Sequence, residues 1–165
     1  MPSENQYNED QRKYFDFLQS IITRMNSNSF VIKGWAITII SAIIALSAST
    51  KEPSFLFVAA LPLITFWILD TIYLQQERKF RSLYNEAAKT PSGIATFDLN
   101  INKDFINQNP KNQFWDVFIS KTILPIYLAT AVIVGLGVLF IDLKASRPKE
   151  KTTISITDTL RIKNL

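Results

Sequence analysis

The sequence predicts an all-α membrane protein: three transmembrane helices, an N-terminal amphipathic helix, a cytoplasmic helical extension and a short tail of strand-like pattern. Three observations lead there. The apolar residues are gathered into blocks at about 30–49, 54–74 and 122–141 instead of being spread as in a globular core. Each block is close to the ~20 residues a helix needs to cross a bilayer core. Finally, residues 63–84 contain neither Gly nor Pro, so the helix that begins in the second block should leave hydrocarbon and enter water as one piece.

Length alone allows one domain in 165 residues. The chain has no His and no Cys, which removes disulfides, thiolate chemistry, the commonest metal ligands and the usual general base. No G-x-S-x-G, phosphate loop or H-E-x-x-H occurs, so neither an enzyme nor a cofactor is expected. The first thirty residues are polar and mixed in charge, unlike an ordinary signal peptide, so the first apolar block should serve as an uncleaved anchor.

Taken in order, residues 1–29 form the N-terminal segment. Tyr14, Phe17, Leu18, Ile21, Ile22 and Met25 recur at three- and four-residue steps, the pattern of an amphipathic helix. Such a helix can pack on its own protein or a sister subunit, or lie on lipid. Asn26-Ser27-Asn28-Ser29 is a run of turn and cap formers, so the helix is expected to end there. Residues 30–74 form a transmembrane hairpin about the connector 50–53. Lys33 and Trp35 suit an interface. Gly34, Thr38, Ser41, Ala42, Ala45 and Ser49 share one face, fit for close helix packing or for a narrow wet path. Pro62 should kink the second span.

Residues 75–121 form the extension. Glu77 and Arg81 are spaced to pair, and Pro91-Ser92-Gly93 should stop the helix. Residues 96–102 alternate apolar and polar as a short strand would. Residues 103–112 read as loop, and 113–121 as an aromatic lead-in to the third span. That span, 122–142, has Pro125 in its first turn and a small pair, Ala131 and Gly135, for helix contact. The tail, 143–165, is basic, and Ile154, Ile156, Leu160 and Ile162 give a strand pattern that needs a partner, either residues 96–102 or other copies of the tail. Lys and Arg near the spans favour the amino terminus and the 75–121 segment inside. Three spans then place the basic tail outside, against the same rule.

Two sets of residues carry functional expectations. Asp70 and Asp142 are the acids nearest hydrocarbon. In an oligomer each would repeat as a ring that selects cations, with Thr38, Ser41 and Ser49 along the path; otherwise each is a hydrated boundary residue. Arg78, Lys79, Arg81, Lys103, Lys111 and Lys121 are interleaved with Phe80, Tyr84, Phe97, Phe114 and Trp115. Cations with ring faces suit a nucleotide or single-strand ligand, and equally a membrane-proximal belt on anionic lipid.

The phrase Asn-Ser-Phe-x-x-Lys-Gly-Trp before the first span resembles a group of small bacterial membrane proteins, as does Leu-Asp-x-x-Tyr-Leu-x-x-Glu-Arg-x-x-Arg-x-x-Tyr after the second. The overall plan is similar to transmembrane effectors of nucleotide-signalled antiphage systems, the SLATT proteins and the Hailong-type effector; residues 29–84 carry the likeness. The resemblance implies a multi-pass protein of the bacterial inner membrane, a homo-oligomer (tetramer or larger), and a gated channel. It further implies control by a nucleotide or single-stranded nucleic-acid ligand from a companion enzyme, with Arg78, Lys79, Arg81, Lys103, Lys111 and Trp115 to receive it. The rival expectation is a non-conducting anchor that recruits a cytoplasmic partner. A transporter is disfavoured, since three short spans without an internal repeat offer little for alternating access.

Overall fold

The structure is a computed structural model that describes the backbone of residues 4–50, 52, 54–89 and 93–145, and the side chains of these except 4–7 and 141–145. The described residues hold helices and turns and no strand: α1 (Glu4–Thr50), α2 (Ser54–Val58), α3 (Ala60–Ala87), α4 (Asp104–Asn107), a 3₁₀ turn (Pro110–Asn112), α5 (Phe114–Phe118) and α6 (Leu124–Ala145). Two candidate spans, Asn8–Thr50 and Ser54–Ala87, are long and apolar enough to cross a membrane. Only 17% and 22% of their most apolar windows are buried inside the protein. A core helix of a soluble domain would be mostly buried. Here the apolar surface points outward.

The frame is an antiparallel hairpin of α1 and α3. At 47 residues, α1 extends about 70 Å, far beyond a hydrocarbon core of ~30 Å. It therefore has an apolar half, from Phe30 onward, and a polar half before it. The break expected at residues 26–29 does not occur; α1 runs through it without interruption. Ser29 is buried and gives its hydroxyl to the Asp70 carboxylate on α3 instead of to a helix end. Tertiary packing has overridden the capping preference of the Asn-Ser run.

At the far end of the hairpin, Ser47 Oγ donates to the Glu52 carbonyl at 2.9 Å and ties down the connector. Pro62 acts as expected but one turn earlier. It lacks the N–H that would bond Val58, and its ring crowds that carbonyl. The helix is accordingly broken between Val58 and Ala60, where the Ala59 N–H turns to the Leu56 carbonyl at 3.2 Å.

Two apolar cores are threaded on this frame. In the apolar half, Ala36, Ile40, Leu56, Leu63, Val117, Ile123, Tyr127 and Val134 pack together. In the polar half, Tyr14 and Leu18 of α1 close on Leu83 and Ala87 of α3 and on Ile106 of α4. The amphipathic N-terminal segment is thus packed on its own chain. Phe15 joins the same cluster, its ring edge-on to Tyr84 at 5.2 Å.

The alternating stretch 96–102 is not a strand. Asp98 Oδ1 accepts from the Asn100 N–H and Asn100 Oδ1 from the Asn102 N–H, each at 2.9 Å. These are two successive Asx turns, so the polar members of the alternation bond their own backbone. Phe97 has a φ of 66°, a region few bulky residues enter, and its ring meets Tyr14 edge-on at 5.9 Å. Residues 103–112, read as loop, contain α4 and the 3₁₀ turn. The strand-like pattern of the tail and the expected stop at residues 91 and 92 lie outside the described residues.

α5 and α6 complete the apolar half. Trp67 stacks between Phe118 and Tyr127, with ring centroids 4.4 and 5.6 Å away, and its indole N–H donates to the Phe118 carbonyl at 3.2 Å. The aromatic lead-in is therefore docked on α3 through one face. Its other face, with Trp115 and Ile119, is exposed. The apolar run of α6, Leu124–Phe140, is shorter than the two candidate spans.

Candidate functional site

Between the two cores lies a polar layer. Its centre is Asp70, whose side chain is 0% exposed. Lys33 Nζ stands 2.8 Å from Asp70 Oδ1 and 2.7 Å from Oδ2, and also donates to Ser29 Oγ at 2.7 Å. Ser29 donates its own hydroxyl to Asp70 Oδ1 in a hydrogen bond. The carboxylate is thus enclosed by an ammonium and a hydroxyl from one turn of α1. Thr71 is buried beside it and bonds back to the Trp67 carbonyl at 2.8 Å. A buried carboxylate without a cation would be strongly unfavourable, and Lys33 supplies it.

Two turns outward on α3 the character changes. Glu77 is 4% exposed and accepts from the guanidinium of Arg81, itself a largely open side chain. The expected i, i+4 pair forms. Below it, Gln75 Nε2 donates to the Asn112 carbonyl at 2.9 Å and Arg78 Nη1 to the Lys111 carbonyl at 3.0 Å. Asn112 is buried and returns the contact, its amide donating to Ser82 Oγ at 3.0 Å and the Ile106 carbonyl at 2.9 Å. These bonds pin the 3₁₀ turn against α3 and leave a cleft of about 590 Å³ between them. Its wall carries Arg78, Arg81 and Lys111 with the amides of Asn26, Asn85 and Asn109; Leu74 and Thr122 line the same cleft.

The structure sorts the residues named from sequence. Of the basic set, Arg78, Arg81 and Lys111 come together in the cleft. Lys79, Lys103 and Trp115 do not line it. Lys103 pairs with Asp98 at 2.6 Å, and with the Asn100 N–H it holds the Asp98 carboxyl below the usual carboxylate range. Trp115 is 70% exposed and, among the described residues, meets the rings of Phe114 and Phe118 alone. Among the described residues, a continuous platform of alternating cations and rings is therefore not assembled.

Asp70 does not stand on an outward surface as a ring of pore acids would require; it is folded between α1 and α3 and neutralised by Lys33. Thr38, Ser41 and Ser49 are on the exposed face of α1, Thr38 bonding back to the Gly34 carbonyl at 2.9 Å. Asp142 falls near the end of α6, and its side chain lies outside the described residues.

Sequence reasoning placed Lys33 at an interface, its head in water, and missed it as the partner of Asp70. The signal was present in the hairpin. Lys33 and Asp70 stand nineteen and eighteen residues from Glu52 on opposite arms, so an antiparallel pairing brings them to one level. Ser29 and Asn112 carried no such signal, because hydroxyl and amide groups in turn-like contexts predict local bonds first. Comparison with protein-family models, with curated proteins and with solved structures finds no match to this chain.

Proposed function

We propose that this chain is a three-span membrane protein whose copies assemble into a gated ion path, with α6 as the third span and the polar halves of α1 and α3 in the cytoplasm. The observation that carries the reading is the face of α1 formed by Gly34, Thr38, Ser41, Ala42, Ala45 and Ser49. All six are exposed in the single chain, in the middle of an apolar helix. Hydroxyls that faced lipid would gain nothing there, whereas small residues let a second helix approach closely and hydroxyls can line a narrow wet passage. Gly135, with no neighbour within 4 Å of where a Cβ would stand, offers a second close-approach surface on α6.

In this proposal the path is lined by hydroxyls, and Asp70 acts as a latch. The Lys33–Asp70 pair holds the two arms of the hairpin in register, and α3 continues from that pair directly into the cytoplasmic extension. A signal that shifts the extension can thus reach the membrane through one rigid helix. The resemblance noted above supplies the biological setting: an effector of bacterial antiphage defence in the inner membrane, answering a nucleotide or nucleic-acid signal. A ligand opens or blocks such a path only through different affinity for its two states.

A potential-sensitive dye in cells expressing the full chain tests the proposal. Loss of membrane potential on expression, or on addition of the triggering companion genes, is expected. A membrane that keeps its potential under both conditions would leave the non-conducting anchor in its place.

A further inference from the structure

The cleft beside Glu77 has a chemistry that neither the ion path nor the latch uses. Three cations and one carboxylate line it, a surplus of two positive charges, together with amide groups that can donate to oxygen. Arg81 is oriented by the buried Glu77 carboxylate, which engages one edge of the guanidinium and leaves its other N–H groups free to turn to the cleft. Arg78 is fixed in the same way by the Lys111 carbonyl. Two guanidinium groups held by the protein, over an ammonium and several amides, form a receptor for a tetrahedral oxyanion.

The depth of the cleft narrows the ligand. Counting from Glu52 at the hairpin connector, Arg78 and Arg81 lie about 39 and 44 Å along the helix rise. The whole bilayer with its headgroups is ~40–45 Å thick. Side chains on a helix lean toward its N-terminus, which for α3 is the membrane side, and the bond from Arg81 back to Glu77 shows that lean. Leu74 and Thr122 carry the cleft toward the apolar half. The exposed Phe30, Trp115 and Ile119 mark the apolar surface of the same end of the bundle.

We propose that this cleft holds the phosphate of an anionic phospholipid headgroup, with Arg78, Arg81 and Lys111 as its ligands and Glu77 as the positioning residue for Arg81. The inference rests on the membrane reading above but not on ion conduction. Bound there, a lipid would brace the extension against the membrane and so favour one position of α3.

The full chain, reconstituted in nanodiscs of phosphatidylcholine alone or with an equal part of phosphatidylglycerol, provides the test, with retained lipid read by native mass spectrometry. Retention of phosphatidylglycerol over phosphatidylcholine by roughly fivefold or more is expected, the equivalent of about one cation at a charged surface. Arg81→Gln with Lys111→Gln should abolish that preference. Arg12→Gln with Lys13→Gln, an equal loss of charge on the exposed face of α1, should keep it. Equal retention of the two lipids would overturn the proposal, as would equal loss in both double variants. Pyrophosphate that removes the phosphatidylglycerol preference of the wild-type chain and of the Arg12→Gln, Lys13→Gln variant supports a phosphate site. Pyrophosphate binding with no lipid preference would assign the cleft to a soluble anion and overturn the lipid source. Failure of the chain to enter either disc would overturn the membrane reading itself, which separates the two failures.

Discussion

Lys33 of α1 and Asp70 of α3 meet through a 2.7 Å ion pair at the level where the apolar half of the hairpin gives way to the polar half. The two charges are 37 residues apart in the chain, and the carboxylate has no exposure to solvent. Removing one member of a buried pair strands the other, at a typical cost of 3–5 kcal/mol, while replacing both by apolar groups of similar size is often neutral. Lys33→Met or Asp70→Leu alone should therefore destabilise the protein by about 3 kcal/mol, and the double variant should recover most of the loss. Thermal unfolding of the four proteins in one detergent reads the cycle. Additive losses would show that the pair is not a unit.

The polar half should come apart independently of the apolar half. Leu83 is fully buried between Tyr14, Leu18 and Ile106. Leu83→Ala removes that packing at a cost of about 2–5 kcal/mol. Hydrogen exchange should quicken at residues 10–22 and 80–88 and stay unchanged at 36–46, since the two cores share no residue.

These two tests also mark what the sequence made legible. Periodicity over residues 14–25 finds the buried stripe of α1 at Tyr14, Leu18, Ile21 and Ile22, because a single face is apolar. Phe17, counted in that stripe by its spacing, is instead exposed. The Glu77–Arg81 pair is likewise local and follows from spacing. Continuity of α1 through Asn26–Ser29 is not local. It depends on a carboxylate 41 residues away that takes the Ser29 hydroxyl. The stretch 96–102 misleads for the opposite reason. Its alternation is genuine, but Asp98 and Asn100 spend their side chains on backbone two residues ahead, which a strand pattern cannot distinguish from solvent-facing polarity. The cleft was half legible: charge placed Arg78, Arg81 and Lys111 in one group, helical spacing turns Lys79 away from the face that lines the cleft, and the fold after α3 brings Lys111 in while Lys103 pairs with Asp98.

Asn112 should prove the structural pin of that turn. Asn112→Ala leaves Ser82 Oγ and the Ile106 carbonyl without its amide. A loss of about 1–3 kcal/mol is expected for buried groups so deprived, with faster exchange confined to residues 104–118. Activity-independent readout matters here, because the cleft wall shifts with the turn.

Acid should reach the loop that carries Asp98 only after ordinary carboxylates have been protonated. Its carboxyl is held low by Lys103 and then by the Asn100 N–H. A folded value below the unfolded one means that this contribution is present above the unfolded carboxylate range and is lost as pH falls through the lowered folded value. The Asp98 carboxyl should titrate below an ordinary aspartate by carbon-detected NMR, and Lys103→Met should move it upward. Tyr14 behaves in the reverse sense. Burial, and then the Asp98 charge, raises its phenol, so its contribution is complete below the unfolded tyrosine value and fades as pH rises through the folded one.

The central claim is that water reaches the small face of α1 in the assembled protein. The chain contains no cysteine, so single cysteines can be placed at Thr38, Ser41 and Ser49, and at Ile133 on the exposed apolar surface of α6. A charged, membrane-impermeant methanethiosulfonate reagent, applied during recording from the protein in planar bilayers, should modify the three α1 positions and reduce the current while leaving the Ile133→Cys current unaltered. Labelling at none of the three α1 positions, in a protein whose current persists, would contradict the account.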